Sequence, residues 1–216
     1  MYLTKDIQVV NEGTTYPFIV ADNWYSPEEE KAVWSELEFY GYQDDIERAE
    51  NTIVAKFRDG TPKSHAYRWY MTDYYKAAES EKASHILRYT YKLREQAFHN
   101  MVDKCKPYNR SFFSTNSDSS LISYYEEGDY YKAHHDSFSW TCLLWFSREP
   151  RIWTGGDLDF PESETQVNFK HNRAVFFPCC YLHRVSPIKF TEQPKRFGMG
   201  RYTITHFLFT IPKGNG

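Results

Sequence analysis

Residues 130–138 read YYKAHHDSF, which sets His134, His135 and Asp136 in succession. Imidazole and carboxylate groups are common ligands of divalent transition metals. On an extended strand, residues two apart share a face. His134 and Asp136 then point one way and His135 the other. His134 and Asp136 can chelate one ion together, so a third ligand must come from another segment.

His171, His183 and His206 are the candidates for that ligand. His206 falls in an alternating run near the end of the chain, and His171 sits in KHNRA, which reads as a turn. His183 follows the apolar run AVFFP directly and is the best placed to arrive on an adjacent strand. Two histidines and one carboxylate on one face of an ion leave the other face open, the arrangement of non-haem Fe(II) oxygenases. A zinc hydrolase could use the same three ligands and a water, but these segments offer it no obvious catalytic base.

Composition limits what can position such a site. The chain has 216 residues with 10 Gly and 10 Pro, enough for one sizeable core. A formal charge of −3 calls for no polyanionic partner, so nucleic acid is not expected. The 18 Tyr and 16 Phe suit sheet packing, with some left for an aromatic groove. Cys105, Cys142, Cys179 and Cys180 form no C-x-x-C pair, which argues against a zinc ribbon and a dense disulfide framework. Adjacent Cys179 and Cys180 read as buried thiols in a reducing compartment. The opening MYLTKDIQVVNEG lacks a basic segment followed by an apolar run, and no stretch is long enough to span a membrane. A cytoplasmic location and no membrane partner are therefore expected.

The elements follow from periodicity. Phe18–Val20 reads as a strand. Ser26 then caps a helix with Pro27 at its first position and Glu29 completing a capping box. Val33, Leu37 and Tyr40 give that helix one apolar face. Residues 41–80 read as strand–turn–strand or a long loop. Residues 81–104 read as a second helix with Ile86, Leu93, Ala97 and Met101 along one stripe. From about residue 119 the period becomes two, in SLISYYEE, TCLLWFS, GGDLDFP, TQVNF, RAVFFP, HRVSPI and RYTITHFLFT. Many short strands predict a sandwich or barrel. In the last run Arg201, Thr203 and Thr205 share a face, and a buried arginine with two hydroxyls needs a polar partner.

The ordered segments YYEEGDYYKAHHD, TCLLWF, GGDLDFPE, AVFFP, HRVSP and GRYTITHF resemble the 2-oxoglutarate- and Fe(II)-dependent dioxygenases, in particular their prolyl 4-hydroxylase branch. The resemblance runs over roughly residues 119–210. It implies a mainly β fold with flanking helices: a double-stranded β-helix (jelly-roll, cupin-like) core, with N-terminal helices on one outer face. It implies one domain over 1–216, with helices and supporting strands in 1–118 and the barrel with its metal site in 119–211. His134, Asp136 and His183 match the iron ligands. Arg201 matches the arginine that pairs with the distal carboxylate of 2-oxoglutarate, a task suited to a planar two-donor fork. Tyr125 matches a tyrosine lining the cosubstrate pocket, and Tyr131 matches a second tyrosine whose role is read as structural.

The chain departs from the family at two points. Trp145 stands where the family often has a tyrosine that reaches the same carboxylate, so Thr203 or Trp145 is expected to supply the missing donor. The segment from His183 to Arg201 is longer than usual and brings in Arg196 as a rival to Arg201. The implied activity uses Fe(II), 2-oxoglutarate and O2, with ascorbate as reductant, to hydroxylate a C–H bond and release succinate and CO2. The implied substrate is peptidyl proline in a peptide or protein partner. Another peptide side chain, a free amino acid or a small molecule are the alternatives, and a catalytically silent barrel module is the alternative of a different class. Asp136 disfavours halogenation, because a halide needs the carboxylate's position. Thr203 and Phe207 break the R-x-N-x-T-x-R pattern of nucleic-acid demethylases. Residues 41–80 and 187–200 are the candidates for the substrate groove.

Overall fold

In the computed structural model, residues 6–41, 46–76 and 83–212 are described. The alternation after residue 119 becomes two facing antiparallel sheets. The larger takes β1 (Ile7–Val10), β2 (Phe18–Ala21), β3 (Glu47–Arg48), β5 (Tyr67–Tyr70), β6 (Ser117–Tyr125), β8 (Trp140–Phe146), β12 (Arg173–Pro178) and β15 (Arg201–Phe209). Their spatial order is β1-β2-β12-β8-β15-β6-β5-β3. The smaller sheet takes β4 (Ser64–His65), β7 (Tyr130–His134), β10 (Leu158–Phe160), β11 (Thr165–Val167) and β13 (His183–Val185), in the order β11-β10-β13-β7-β4. A short ribbon pairs β9 (Trp153–Thr154) with β14 (Lys189–Phe190). Two facing sheets agree with the sandwich or barrel expected from the strand pattern and with the jelly-roll that the family resemblance implies.

Alternation along the strands gives the large sheet a core on each side. Tyr202 and Ile204 of β15 join Ile122, Tyr124, Leu144, Phe146 and Phe176 in an outer cluster. Leu143, Trp145, Val175 and Phe177 face the other way, into the barrel. The helices α1 (Pro27–Gly41), α2 (Met71–Lys76), α3 (His85–Arg88), α4 (Gln96–Val102) and α5 (Asn109–Phe113) precede β6 in the chain. Val33, Leu37 and Tyr40 of α1, with Ile86, Phe98, Val102 and Phe112, cover the outer cluster. The helices therefore lie on the outer face of the large sheet and leave the barrel interior free.

The helix signals in the sequence hold at α1 and fail beyond it. At α1 the Ser26 N–H donates to Glu29 Oε2 (2.9 Å) and the Glu29 N–H donates to Ser26 Oγ (3.3 Å), the reciprocal capping box. The single helix expected over 81–104 is instead α3, a 3-10 turn over Tyr89–Arg94, and α4, with Glu95 extended between the last two. Residues 81 and 82 lie outside those described. Two causes favour the break. Tyr89, Thr90 and Tyr91 are weak helix formers. Lys92 is drawn inward, where its ammonium donates to the Trp24 carbonyl (2.9 Å) and pairs with Glu29.

Candidate active site

β7 delivers His134 and β13 delivers His183 to the same level of the small sheet, where the two are direct register partners. Asp136 follows just beyond the end of β7, its N–H donating to the Cys179 carbonyl (3.2 Å). Ligand atoms of His134, Asp136 and His183 all lie within 4.8 Å of one another. Asp136 Oδ1 is 3.5 Å from His134 Nε2, and Oδ2 is 3.5 Å from His183 Nε2. His135 is exposed and lines the rim of the same cavity, outside the three-residue cluster, rather than pointing to the opposite face as the two-residue period predicts.

Each imidazole is oriented from behind. His134 Nδ1 lies 2.8 Å from the Lys132 carbonyl and His183 Nδ1 lies 3.0 Å from the Tyr181 carbonyl. A carbonyl can only accept, so each Nδ1 carries a proton and Nε2 is the ring atom left for a metal. The Tyr131 ring stacks on His134 with centroids 3.6 Å apart. Thr141 donates from Oγ1 to Asp136 Oδ2 (2.5 Å). Burial pushes His183 down to about 4, against the pull of Asp136, so it is neutral at neutral pH. Burial would raise Asp136, but His183, His134 and the Thr141 hydroxyl hold it down to about 2, so it is ionised. Two imidazoles and one carboxylate are a donor set that suits a divalent iron.

The same cavity, about 460 Å³, reaches Arg201, Thr203, Thr205 and Tyr125. The inward face of β15 is thus the one assigned from its alternation. Arg201 is fully buried, and its guanidinium lies 5.1 Å from the Tyr125 ring, 5.3 Å from Trp145 and 5.7 Å from Phe169. Its Nη1 donates to Thr203 Oγ1, while Nε and Nη2 are buried without partners. Burial pushes the guanidinium down to about 10, which still leaves it charged at neutral pH. A buried cation stripped of a partner costs on the order of 3–5 kcal/mol. The free Nε–Nη2 edge fits the distal carboxylate of a dicarboxylate held in the cavity.

The remaining residues singled out in the sequence divide clearly. Trp145 is the direct strand partner of Thr203 and packs against Arg201, but it does not line the cavity, and its indole N–H has no partner. Arg196 lies in a separate crevice with Glu38, Phe197 and Tyr202. The 187–200 segment likewise stays outside the cavity, with Phe197 packed on the outer side of Tyr124, 4.5 Å between centroids. Of residues 41–80, Ile53, Val54, Ala55, Arg68 and Tyr70 line the cavity, while 42–45 and 77–80 lie outside the described residues. His171 pairs with Glu30 and His206 with Ser120, both away from Asp136. Cys105, Cys142 and Cys179 are buried free thiols, whereas Cys180 is exposed, contrary to expectation, because it sits in the turn between β12 and β13. Sequence reasoning missed Thr141 and Arg68. The alternation of HAYRWY would have placed Arg68 and Tyr70 on one strand face.

The family model for the 2OG-Fe(II) oxygenase superfamily matches residues 120–209, the span that carries all three ligand positions and Arg201. No curated protein sequence matches the chain. Among solved structures, the chain is similar to a prolyl-4-hydroxylase from Pseudomonas putida, at 15% identity and TM-score 0.53, over 90% of this chain and 93% of that one. It is similar to the viral collagen prolyl hydroxylase of Paramecium Bursaria Chlorella virus-1, at 15% identity and TM-score 0.51, over 92% and 97%. It is similar to a prolyl 4-hydroxylase from Phytophthora capsici, at 15% identity and TM-score 0.54, over 89% of this chain and 58% of the other. At these identities the likeness is one of fold, and it agrees with the jelly-roll described above. No described helix is long and apolar enough to cross a membrane.

Proposed function

We propose that this chain is a 2-oxoglutarate- and Fe(II)-dependent hydroxylase acting on a C–H bond of a peptide substrate, with peptidyl proline as the favoured target. The observation that carries the reading is one cavity holding a His–Asp–His donor set and a buried arginine with two free donors. His134 Nε2, Asp136 and His183 Nε2 would hold the iron. Iron with 2-oxoglutarate and O2 supplies the insertion of one oxygen atom into the substrate, with succinate and CO2 released.

The chain's own residues do the rest. Arg201 binds the distal carboxylate, and Thr203 fixes the guanidinium by accepting from Nη1, leaving the paired Nε–Nη2 edge for the ligand. Tyr125, Trp145 and Phe169 surround that cation and exclude water from it. The carbonyls of Lys132 and Tyr181 hold the protons on the two Nδ1 atoms, so neither ring can turn its lone pair away. The fold likeness to prolyl hydroxylases supports the proline target, and ascorbate is the reductant such chemistry would use. A cytoplasmic site of action agrees with three free buried cysteines.

The test is a peptide-library screen with Fe(II), ascorbate and 2-oxoglutarate. It scores substrate mass gain of one oxygen atom together with succinate. A proline-containing peptide that gains oxygen in step with succinate is expected. Absence of succinate in the presence of bound metal would overturn the oxygenase reading, and oxygen on another residue would overturn the proline target alone.

A further inference from the structure

The cavity contains a second buried arginine. Arg68 leaves β5, is 5% exposed and lines the same cavity as the ligand triad and Arg201. Its strand partner on β6 is Ser123, and the partner of Ser123 on β15 is Thr203. Adjacent strands are about 4.8 Å apart, so Arg68 stands two strands from Thr203 on the same inner face. Arg201 is enclosed by aromatic rings deep in the barrel. Arg68 lies towards the mouth, where its Nη1 donates to the carbonyl of Ile53 (3.3 Å), a residue 92% exposed.

Among the described residues no carboxylate lies within ion-pair distance of Arg68, and its Nε is buried with no partner. Its neighbours are phenols, with the guanidinium 5.4 Å from the Tyr131 ring that stacks on His134. Phenols are uncharged at neutral pH. The Ile53 carbonyl and the hydroxyls of Tyr70 and Tyr131 bring no negative charge to this buried cation, and a guanidinium in a cavity wall can meet an anion there. The distal carboxylate of the cosubstrate is already matched by Arg201.

We propose that Arg68 is a substrate-recognition residue that selects a substrate carrying a carboxylate. This deepens the hydroxylase reading and rests on it. The carboxylate could belong to an amino acid, to a chain end or to an acidic side chain, and the chemistry recognised at Arg68 is the same for each.

The experiment uses the full chain loaded with Mn(II) and 2-oxoglutarate, which bind without turnover, and reads ligand binding by calorimetry. The probes are N-acetyl amino acids, proline included, each as the free acid and as the primary amide. A second set pairs acetyl-Pro-Glu-amide with acetyl-Pro-Gln-amide. For at least one pair the acid is expected to bind roughly tenfold or more tightly than its neutral partner. Arg68→Gln should erase that preference while leaving the neutral member and 2-oxoglutarate binding as they were, and Arg68→Lys should restore part of it. A preference confined to free acids assigns the carboxylate to an amino acid or chain end, and a preference for Glu over Gln assigns it to a side chain. Equal binding of acids and neutral partners, or no acid binding tighter than about 1 mM, overturns the proposal. So does an acid preference that survives Arg68→Gln. Failure to bind 2-oxoglutarate at all removes the hydroxylase reading and this inference with it, whereas normal 2-oxoglutarate binding without an acid preference removes only the inference.

Discussion

His134 and His183 face one another directly across the antiparallel pair of β7 and β13, and the ladder slips immediately beyond them. The next pair in register is Tyr131 with Val185, three residues back on one strand and two residues on along the other. A bulge next to a site re-aims side chains that a regular ladder would space evenly. Here it brings Tyr131 onto the His134 ring and leaves His135 at the rim.

This geometry fixes the outcome of a ligand scan. His134→Ala, Asp136→Ala and His183→Ala should each abolish stoichiometric binding of Mn(II) or Fe(II) by the purified protein. His135→Ala should keep it. Loss of metal in His135→Ala with retention in His134→Ala would shift the assignment by one residue and sink it.

Thr141 supports the Asp136 carboxylate through one hydrogen bond. Thr141→Val preserves shape and removes the donor to Asp136 Oδ2. Losing such a supporting hydrogen bond typically weakens metal binding by about 10–100-fold. A metal titration of the variant, with far-ultraviolet circular dichroism to confirm the fold, measures it, and an unchanged affinity would refute the role.

The two expected substitutes for the family tyrosine are not equivalent. Thr203 Oγ1 accepts from Arg201 Nη1 inside the cavity, whereas Trp145 walls the guanidinium from outside it. Thr203→Val should weaken 2-oxoglutarate by roughly tenfold, and Trp145→Phe should do so by less. Arg201→Met should weaken it most, and Arg196→Ala should leave it unchanged. Titration of 2-oxoglutarate against the Mn(II)-loaded variants decides the order. A silent Thr203→Val beside a damaging Trp145→Phe would give the role to the indole.

The barrel was legible in the sequence because alternation is a local signal. Arg201, Thr203 and Thr205 were placed on the inner face from β15 alone, and all three line the cavity. The ligand triad was legible because two of its members are two residues apart and the third follows an apolar strand. Non-local determinants were not legible. The break in the second helix depends on where Lys92 finds Trp24 and Glu29, more than sixty residues earlier. The role of Arg68 depends on which strand lies beside β6, and that pairing crosses about fifty residues of mixed composition. The 187–200 segment reads as groove by its length, yet Phe197 finds the outer aromatic cluster instead.

Gly156 ties the small ribbon to Arg201. Its φ is +71°, a conformation that side chains rarely adopt, and a Cβ there would stand 2.7 Å from Arg201 Cδ and 2.6 Å from Ile188 Cδ1. The Arg201 side chain therefore runs over a surface only glycine leaves open. Gly156→Ala adds backbone strain of about 1–3 kcal/mol and must also displace one of those two side chains. Ile188 is buried and continuous with the barrel core, so much of the displacement should fall on Arg201. The expected result is a lowered denaturation midpoint together with weaker 2-oxoglutarate binding, while Mn(II) stoichiometry stays intact because the ligand triad lies on other strands. Gly60→Ala provides the control, since it has a similar φ of +88° with nothing within 4 Å of its Cβ. It should lose stability for the same backbone reason and leave 2-oxoglutarate binding unchanged. If both variants bind 2-oxoglutarate like the parent, Arg201 does not depend on the glycine surface.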